Sequence, residues 1–144
     1  MLSLRMVCDI SRDMFIDDDL LNRVRESACQ SDRLRMHYDL RNTTTDQSQR
    51  MLNVLEVGTI LPIHRHHTSS ETVVLLRGHI IERFYNDEGA IIELYDLNPH
   101  EGQYGVQVPM HVWHNFEVLE SSAIFEAKDG PYSPCEEADI MSLK

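Results

Sequence analysis

The stretch GTILPIHRHHTSSETVVLLRG, residues 58–78, decides how this chain reads. It sets three histidines and a glutamate between two glycines and ends in an apolar run of strand length. Two histidines at i and i+2 on an extended chain point to the same face, so His64 and His66 can meet one ion while Arg65 points away. Glu71 follows a short polar turn at the head of ETVVLLRG, where an adjacent antiparallel strand brings its carboxylate beside the two imidazoles. A fourth candidate is His114, far along the chain in PMHVWH and next to the single tryptophan, Trp113. Neutral imidazole nitrogen and carboxylate oxygen are borderline to hard donors, suited to a divalent transition metal such as Fe, Mn, Ni, Co or Zn. If all four candidates bind, a six-coordinate ion keeps about two positions for water or substrate, which separates a reactive site from a closed structural one.

Outward from this stretch the texture is that of a β protein. From about Arg50 the chain breaks into short apolar runs, RMLNVLEV, TILPIH, ETVVLLRG, HIIERFY, AIIELYDL, YGVQVP, HVWHNFEVL and AIFEAK, separated by Gly, Pro, Asn or Asp. NDEG at 86–89 marks a hairpin turn, and many short strands at even spacing predict a sandwich or barrel. Ahead of them, DDDLLNRVRESA puts Leu20, Leu21, Val24 and Ala28 on one helical stripe, with Asp17, Asp18 and Asp19 at the positive end of the helix dipole. TTTDQSQ, residues 43–49, reads as a polar surface loop. The expected organisation is a helical extension over residues 1–49 leading into the barrel, the barrel itself over 50–130, and a C-terminal tail over 131–144 packed on it.

The spacing Gly58, five residues, His64, one residue, His66, four residues, Glu71, six residues, Gly78 resembles the first motif of the cupin family without a miss. The second cupin motif is matched at Pro109 and His114; Gly102 lies one residue early, His111 stands in place of the inner glycine, and Val118 in place of asparagine. More narrowly the chain resembles the WbuC-type cupin metalloproteins of bacterial surface-polysaccharide gene sets, in SDRLR, DQSQRMLNVLEVGT, HRH, ETVVLLRG, WH and GPYSP. That resemblance implies a mostly β fold, a jelly-roll barrel of six to eight strands with an N-terminal helical extension. It also maps the metal ligands onto His64, His66, Glu71 and His114.

Composition narrows the function further. The 144 residues suffice for one domain with a proper core. With 24 acidic against 13 basic side chains the formal net charge is −11, so the long-range field repels nucleic acid and anionic membranes. A small molecule is the expected partner, and an anionic one requires Arg33, Arg35, Arg41, Arg50, Arg65, Arg77 or Arg83 to converge locally. Three cysteines, Cys8, Cys29 and Cys135, are odd in number and never in a CxxC pair, which fits a reducing cytoplasm. Residues 1–15 are interrupted by Arg5, Asp9, Arg12 and Asp13 and hold no signal-peptide core. A cytoplasmic location and a homodimer formed through sheet edges are therefore expected.

Beyond the four ligands, the candidates for catalysis are Glu126, a general base if it points inward from FEAKDGPY in phase with Lys128, and His111, an acid or base at the pocket rim. His67 should turn away from the ion. Trp113, opposite in phase to His114, is expected in the core, and Phe116 packs by default. Tyr38, Arg41 and Gln49 lie where they can reach the barrel mouth, whereas His37, His79 and His100 read as structural. Three functions fit these residues: a metal-dependent enzyme isomerising or epimerising a sugar or sugar phosphate, an Fe(II)-dependent dioxygenase, and a non-catalytic metal cupin binding a small ligand. The first, in its phosphorylated form, requires inward cations.

Overall fold

The computed structural model describes residues 14–142. Cys8 and the signal-peptide reading of the N-terminus lie outside the described residues. Helix α1 (Asp18–Gln30) starts at Asp17, whose side chain accepts a hydrogen bond from the Leu20 amide at 3.0 Å. Asp18 and Asp19 occupy its first turn, where negative charge meets the unpaired amides. The predicted stripe of Leu20, Leu21, Val24 and Ala28 is buried, packed against Leu52, Val54 and Ala123 of the sheet. Burying each of the leucine and valine side chains stabilises by about 1.5–3 kcal/mol, which fixes the helix on the outer face of the sheet.

Six antiparallel strands follow: β1 (Arg35–Asp39), β2 (Ser48–Leu55), β3 (Glu71–Tyr85), β4 (Ile91–Leu97), β5 (Gly105–Val108) and β6 (Trp113–Asp129). They pair in the order β1-β2-β6-β3-β4, and β5 joins the first half of β3. The fold is mostly β, as the spacing of the apolar runs predicts, and a jelly roll with an N-terminal helix, as the cupin resemblance implies. Its second core gathers Leu55, Val73, Leu75, Ile80, Leu97, Val118 and Ile124.

The strands differ from expectation in several places; HVWHNFEVL and AIFEAK, for one, are the single strand β6. ETVVLLRG and HIIERFY form one strand, β3, bent at Gly78. Register against β6 slips between Leu75 and Ile80, so the buried phase changes from Glu71, Val73 and Leu75 to Ile80, Glu82 and Phe84. TILPIH forms no strand; its only ladder pairings are isolated bridges from His64 to His114 and to Ile140, because Gly58 and Pro62 interrupt any longer ladder. RMHYD, by contrast, is strand β1. Its apolar phase, Met36 and Tyr38, packs towards α1, while Arg35, His37 and Asp39 alternate with it. A polar phase that faces a cavity reads in sequence like a polar segment.

Candidate metal centre and carboxylate cavity

The bridge at His64 assembles the site. The His64 amide donates to the His114 carbonyl at 3.1 Å, and the His114 amide returns a bond to the His64 carbonyl at 2.8 Å. The His111 amide donates to the His66 carbonyl at 2.8 Å, extending the pairing past the turn. On the other side the Arg65 amide donates to the Asp139 carbonyl and the Met141 amide to the Ile63 carbonyl, so the C-terminal tail clamps residues 63–65. Asn115 adds a bond to the Leu61 carbonyl and accepts one from the Tyr85 hydroxyl. A segment without regular pairing is thus held on both sides, as a rigid ligand platform requires.

His64, His66 and His114 each turn a ring nitrogen to a common region, with the three ligand atoms within 4.8 Å of one another. Nδ1 of His64 lies 3.0 Å from the Pro62 carbonyl and Nδ1 of His114 lies 2.9 Å from the Val112 carbonyl. Those carbonyls accept from protonated Nδ1 and leave Nε2 as the lone-pair donor, the arrangement that orients histidine towards a metal. Burial, with His114 and His66 nearby, pulls the His64 pKa down to about 4, which keeps this ring neutral and able to ligate. Nε2 of His66 is buried without a hydrogen bond, although Glu71 Oε2 is 2.9 Å away. A buried nitrogen left unsatisfied beside two lone-pair donors fits a metal ion better than it fits a closed hydrogen-bond network.

Glu71, at the start of β3, also places Oε2 3.6 Å from His114 Nε2. Burial opposes its ionisation, but contact with His114 and His66 and the charge of Lys128 outweigh this and hold the carboxyl well below its usual range. Glu126 faces inward beside it, in register with Met51 of β2 and Val73 of β3. Burial and the neighbouring Glu71 push Glu126 well above the usual range, opposed by Lys128 and an Asn53 hydrogen bond. Gln49, Met51, Glu71, Glu126 and Lys128 line one small cavity of about 30 Å³. Gln49 donates to the carbonyls of Gly130 and Pro131 and ties the tail to β2. A larger cavity of about 160 Å³ opens on His66 and Lys128 under residues 131–139.

The remaining candidates fall outside the histidine cluster. His111 is exposed and takes the left-handed conformation, φ 70°, at the position where the cupin motif has glycine. Its Nδ1 is 3.2 Å from His67 Nδ1, and His67 Nε2 is 2.6 Å from Asp139. Arg65 turns away from the cluster to pair with Asp139 and stack over Trp113 at 4.2 Å. Trp113 itself is buried with Ile63 and Tyr85, and Phe116 packs on the inner core. Tyr38 packs against the helix core, whereas His79 has a partner the sequence did not suggest, Asp96 at 2.5 Å. The two cysteines among the described residues, Cys29 and Cys135, are free and exposed.

Sequence reasoning missed Glu82. It is 0 % exposed, both its carboxyl oxygens lack hydrogen bonds, and burial with Glu71 and Glu126 nearby raises its pKa well above the usual 4.5. The available signal was a charge in phase with Ile80 and Phe84 on a buried face. Because the folded protein binds this proton more tightly than the unfolded chain does, its contribution is harmless below pH 4.5 and costs stability progressively as pH rises towards the raised value. Glu82→Gln is therefore expected to match the parent near pH 4.5 and to become progressively more stable than it as pH rises to 8, measured by urea unfolding of chelator-treated protein. Parallel pH profiles for the two proteins would refute the assignment.

Residues 16–97 match the family described as "Domain of unknown function (DUF6016)", more than half of the chain. The chain belongs to this family. No curated protein matches it. Among solved structures it is similar to the capsular polysaccharide assembling protein CapF from Staphylococcus aureus, at 22 % identity and a TM-score of 0.62, over 79 % of this chain and 33 % of that one. It is also similar to a cupin 2 domain-containing protein from Halorhodospira halophila, at 15 % identity and a TM-score of 0.56, over 71 % and 68 % of the two chains. Oxalate decarboxylase from Lactobacillus farciminis is a further likeness, at 13 % and 0.54, over 76 % and 31 %. This DUF6016 chain spans about a third of CapF's length, and the likenesses establish a cupin fold. Among the described residues, no helix is long and apolar enough to cross a membrane.

Proposed function

We propose that this DUF6016 protein is a WbuC-type, metal-dependent enzyme of surface-polysaccharide metabolism, acting on a sugar or sugar phosphate as an isomerase or epimerase. The observation that carries the proposal is the placement of Glu126, an inward carboxyl whose pKa is raised by burial and Glu71, beside Glu71 and the three histidines at one end of the inner face. His64, His66, His114 and Glu71 would hold the ion. A divalent ion there supplies Lewis acidity towards a carbonyl or hydroxyl oxygen. Glu126 then serves as the acid and base: its raised pKa keeps a proton on the carboxyl closer to neutrality than an exposed glutamate does, so it can give and take a proton on carbon or oxygen. Lys128 limits that rise and orients the carboxyl pair by its charge. CapF, named for capsular polysaccharide assembly, lends the metabolic setting by analogy.

The test is deuterium exchange. Protein purified without a tag, with its metal content measured, is incubated in D₂O with a panel of sugar phosphates, and exchange at carbon next to the carbonyl is followed by NMR. The parent is expected to exchange deuterium into at least one substrate, and Glu126→Gln to keep its metal while losing about 10²–10⁴-fold in rate. Undiminished exchange by Glu126→Gln, or oxygen consumption in place of exchange, would overturn the proposal.

A further inference from the structure

The polar phase of β1 and the same phase of β2 border a further cavity of about 420 Å³, lined by Arg33, Arg35, His37, Arg41, Met51 and Asn53 together with Tyr132. In register, Arg35 pairs with Leu55, His37 with Asn53 and Asp39 with Met51, so these side chains share one face with the carboxylate cavity. Met51 lines both cavities.

This is a concentration of positive charge in a chain of net charge −11. Arg41 is already matched, because Asp39 accepts from its guanidinium at 2.8 Å. Arg33 and Arg35 form no ion pair among the described residues. Arg35 donates only to neutral oxygens, Thr59 Oγ1 at 3.2 Å and the Ile60 carbonyl at 3.0 Å, and Arg33 uses only its backbone. Burial and the neighbouring Arg33 lower the Arg35 pKa, which is the mark of two guanidinium groups sharing a space without a counter-charge. Paired arginines with free fork donors match the geometry of a tetrahedral oxyanion.

We propose that this cavity seats the phosphate group of a ligand whose other end extends past Met51 to Glu126 and the histidine cluster. The strand order puts β1 two strands from β6, a span of about 10 Å, so the ligand is longer than phosphate alone. Where the far end goes rests on the proposed function; the anion seat rests on β1, β2 and the arginines that flank β1.

The test follows the amide and arginine side-chain signals of the chelator-treated, ¹⁵N-labelled full chain by NMR, at constant ionic strength. Inorganic phosphate and glucose 6-phosphate are titrated in parallel, with glucose as the neutral control. Both phosphates are expected to shift Arg33, Arg35 and Arg41 saturably, with dissociation constants on the order of 1–10 mM, while glucose does nothing. Tighter binding of glucose 6-phosphate than of inorganic phosphate supports the extension past Met51; equal affinity overturns that extension.

Arg33→Gln removes a side chain that holds no structural bond, so it is expected to fold normally and to weaken phosphate at least about fivefold. Non-saturating shifts, or saturable ones that Arg33→Gln leaves unchanged, overturn the seat. His114→Ala is expected to leave the inorganic phosphate titration unaltered, so failure of the metal site and failure of the anion seat are separate results.

Discussion

Replacing His114 by alanine is expected to raise the dissociation constant for zinc or cobalt by at least about 100-fold, the largest single effect on this site. The side chain is 3 % exposed and its Nδ1 is fixed on the Val112 carbonyl, so the fold has committed its Nε2 to the cluster. Truncation removes one of three convergent nitrogens and also the contact that holds Glu71 ionised. A carboxylate left buried with fewer partners costs roughly 1–3 kcal/mol or more, so binding and stability fall together. His111→Ala supplies the contrast. That ring is exposed and touches His67, not the cluster, so its removal should shift metal affinity less than about twofold. Titration of chelator-treated protein against a competing metal indicator reads both, and equal losses in the two variants would remove His114 from the ligand set.

The contrast between these two histidines also measures how much of the site was legible. His64, His66 and Glu71 are near neighbours in sequence, and the i, i+2 spacing with a short turn suffices to bring them together. His114 is 50 residues further on than His64, yet the cupin spacing and the adjacent tryptophan marked it. What brings it home is the reciprocal backbone bridge with His64, which no side-chain pattern encodes. Glu126 was legible as one phase of an alternating strand but not as inward, because the alternation alone does not say which phase faces the core. Glu82 was hidden for a related reason. The slip at Gly78 exchanges the buried phase of β3, and a reading that treats ETVVLLRG and HIIERFY as separate strands has no means of carrying the phase across. The cationic cavity was hidden by β1, whose polar residues look solvent-directed until β2 is laid beside them.

That slip makes Gly78→Ala a severely damaging change despite its small size. Gly78 has φ 101°, beyond the left-handed well that other residues tolerate. A Cβ there would stand 2.2 Å from Ser122 Oγ, 2.5 Å from the Ser121 carbonyl oxygen and 2.6 Å from Ser122 Cα. A rotating hydroxyl could relieve the first contact; the other two are backbone atoms of β6 and cannot yield without parting the strands. Ser122 is itself buried and bonded, accepting from the His79 amide at 3.0 Å and donating to the Glu120 carbonyl at 2.7 Å. The expected loss is about 3–5 kcal/mol, the sum of backbone strain and a displaced buried network, much of the stability of a small domain. Gly102→Ala isolates the strain, since Gly102 also has positive φ, 78°, but a Cβ there meets nothing within 4 Å. It should cost only about 1–2 kcal/mol. Urea unfolding of the two variants beside the parent checks the difference, and a Gly78→Ala protein as stable as Gly102→Ala would show that β3 does not depend on this close approach. Because Glu71 lies ahead of the bend and Glu82 beyond it, the loss at Gly78 should also loosen metal binding, whereas Gly102→Ala, outside β3 and β6, should leave it unchanged.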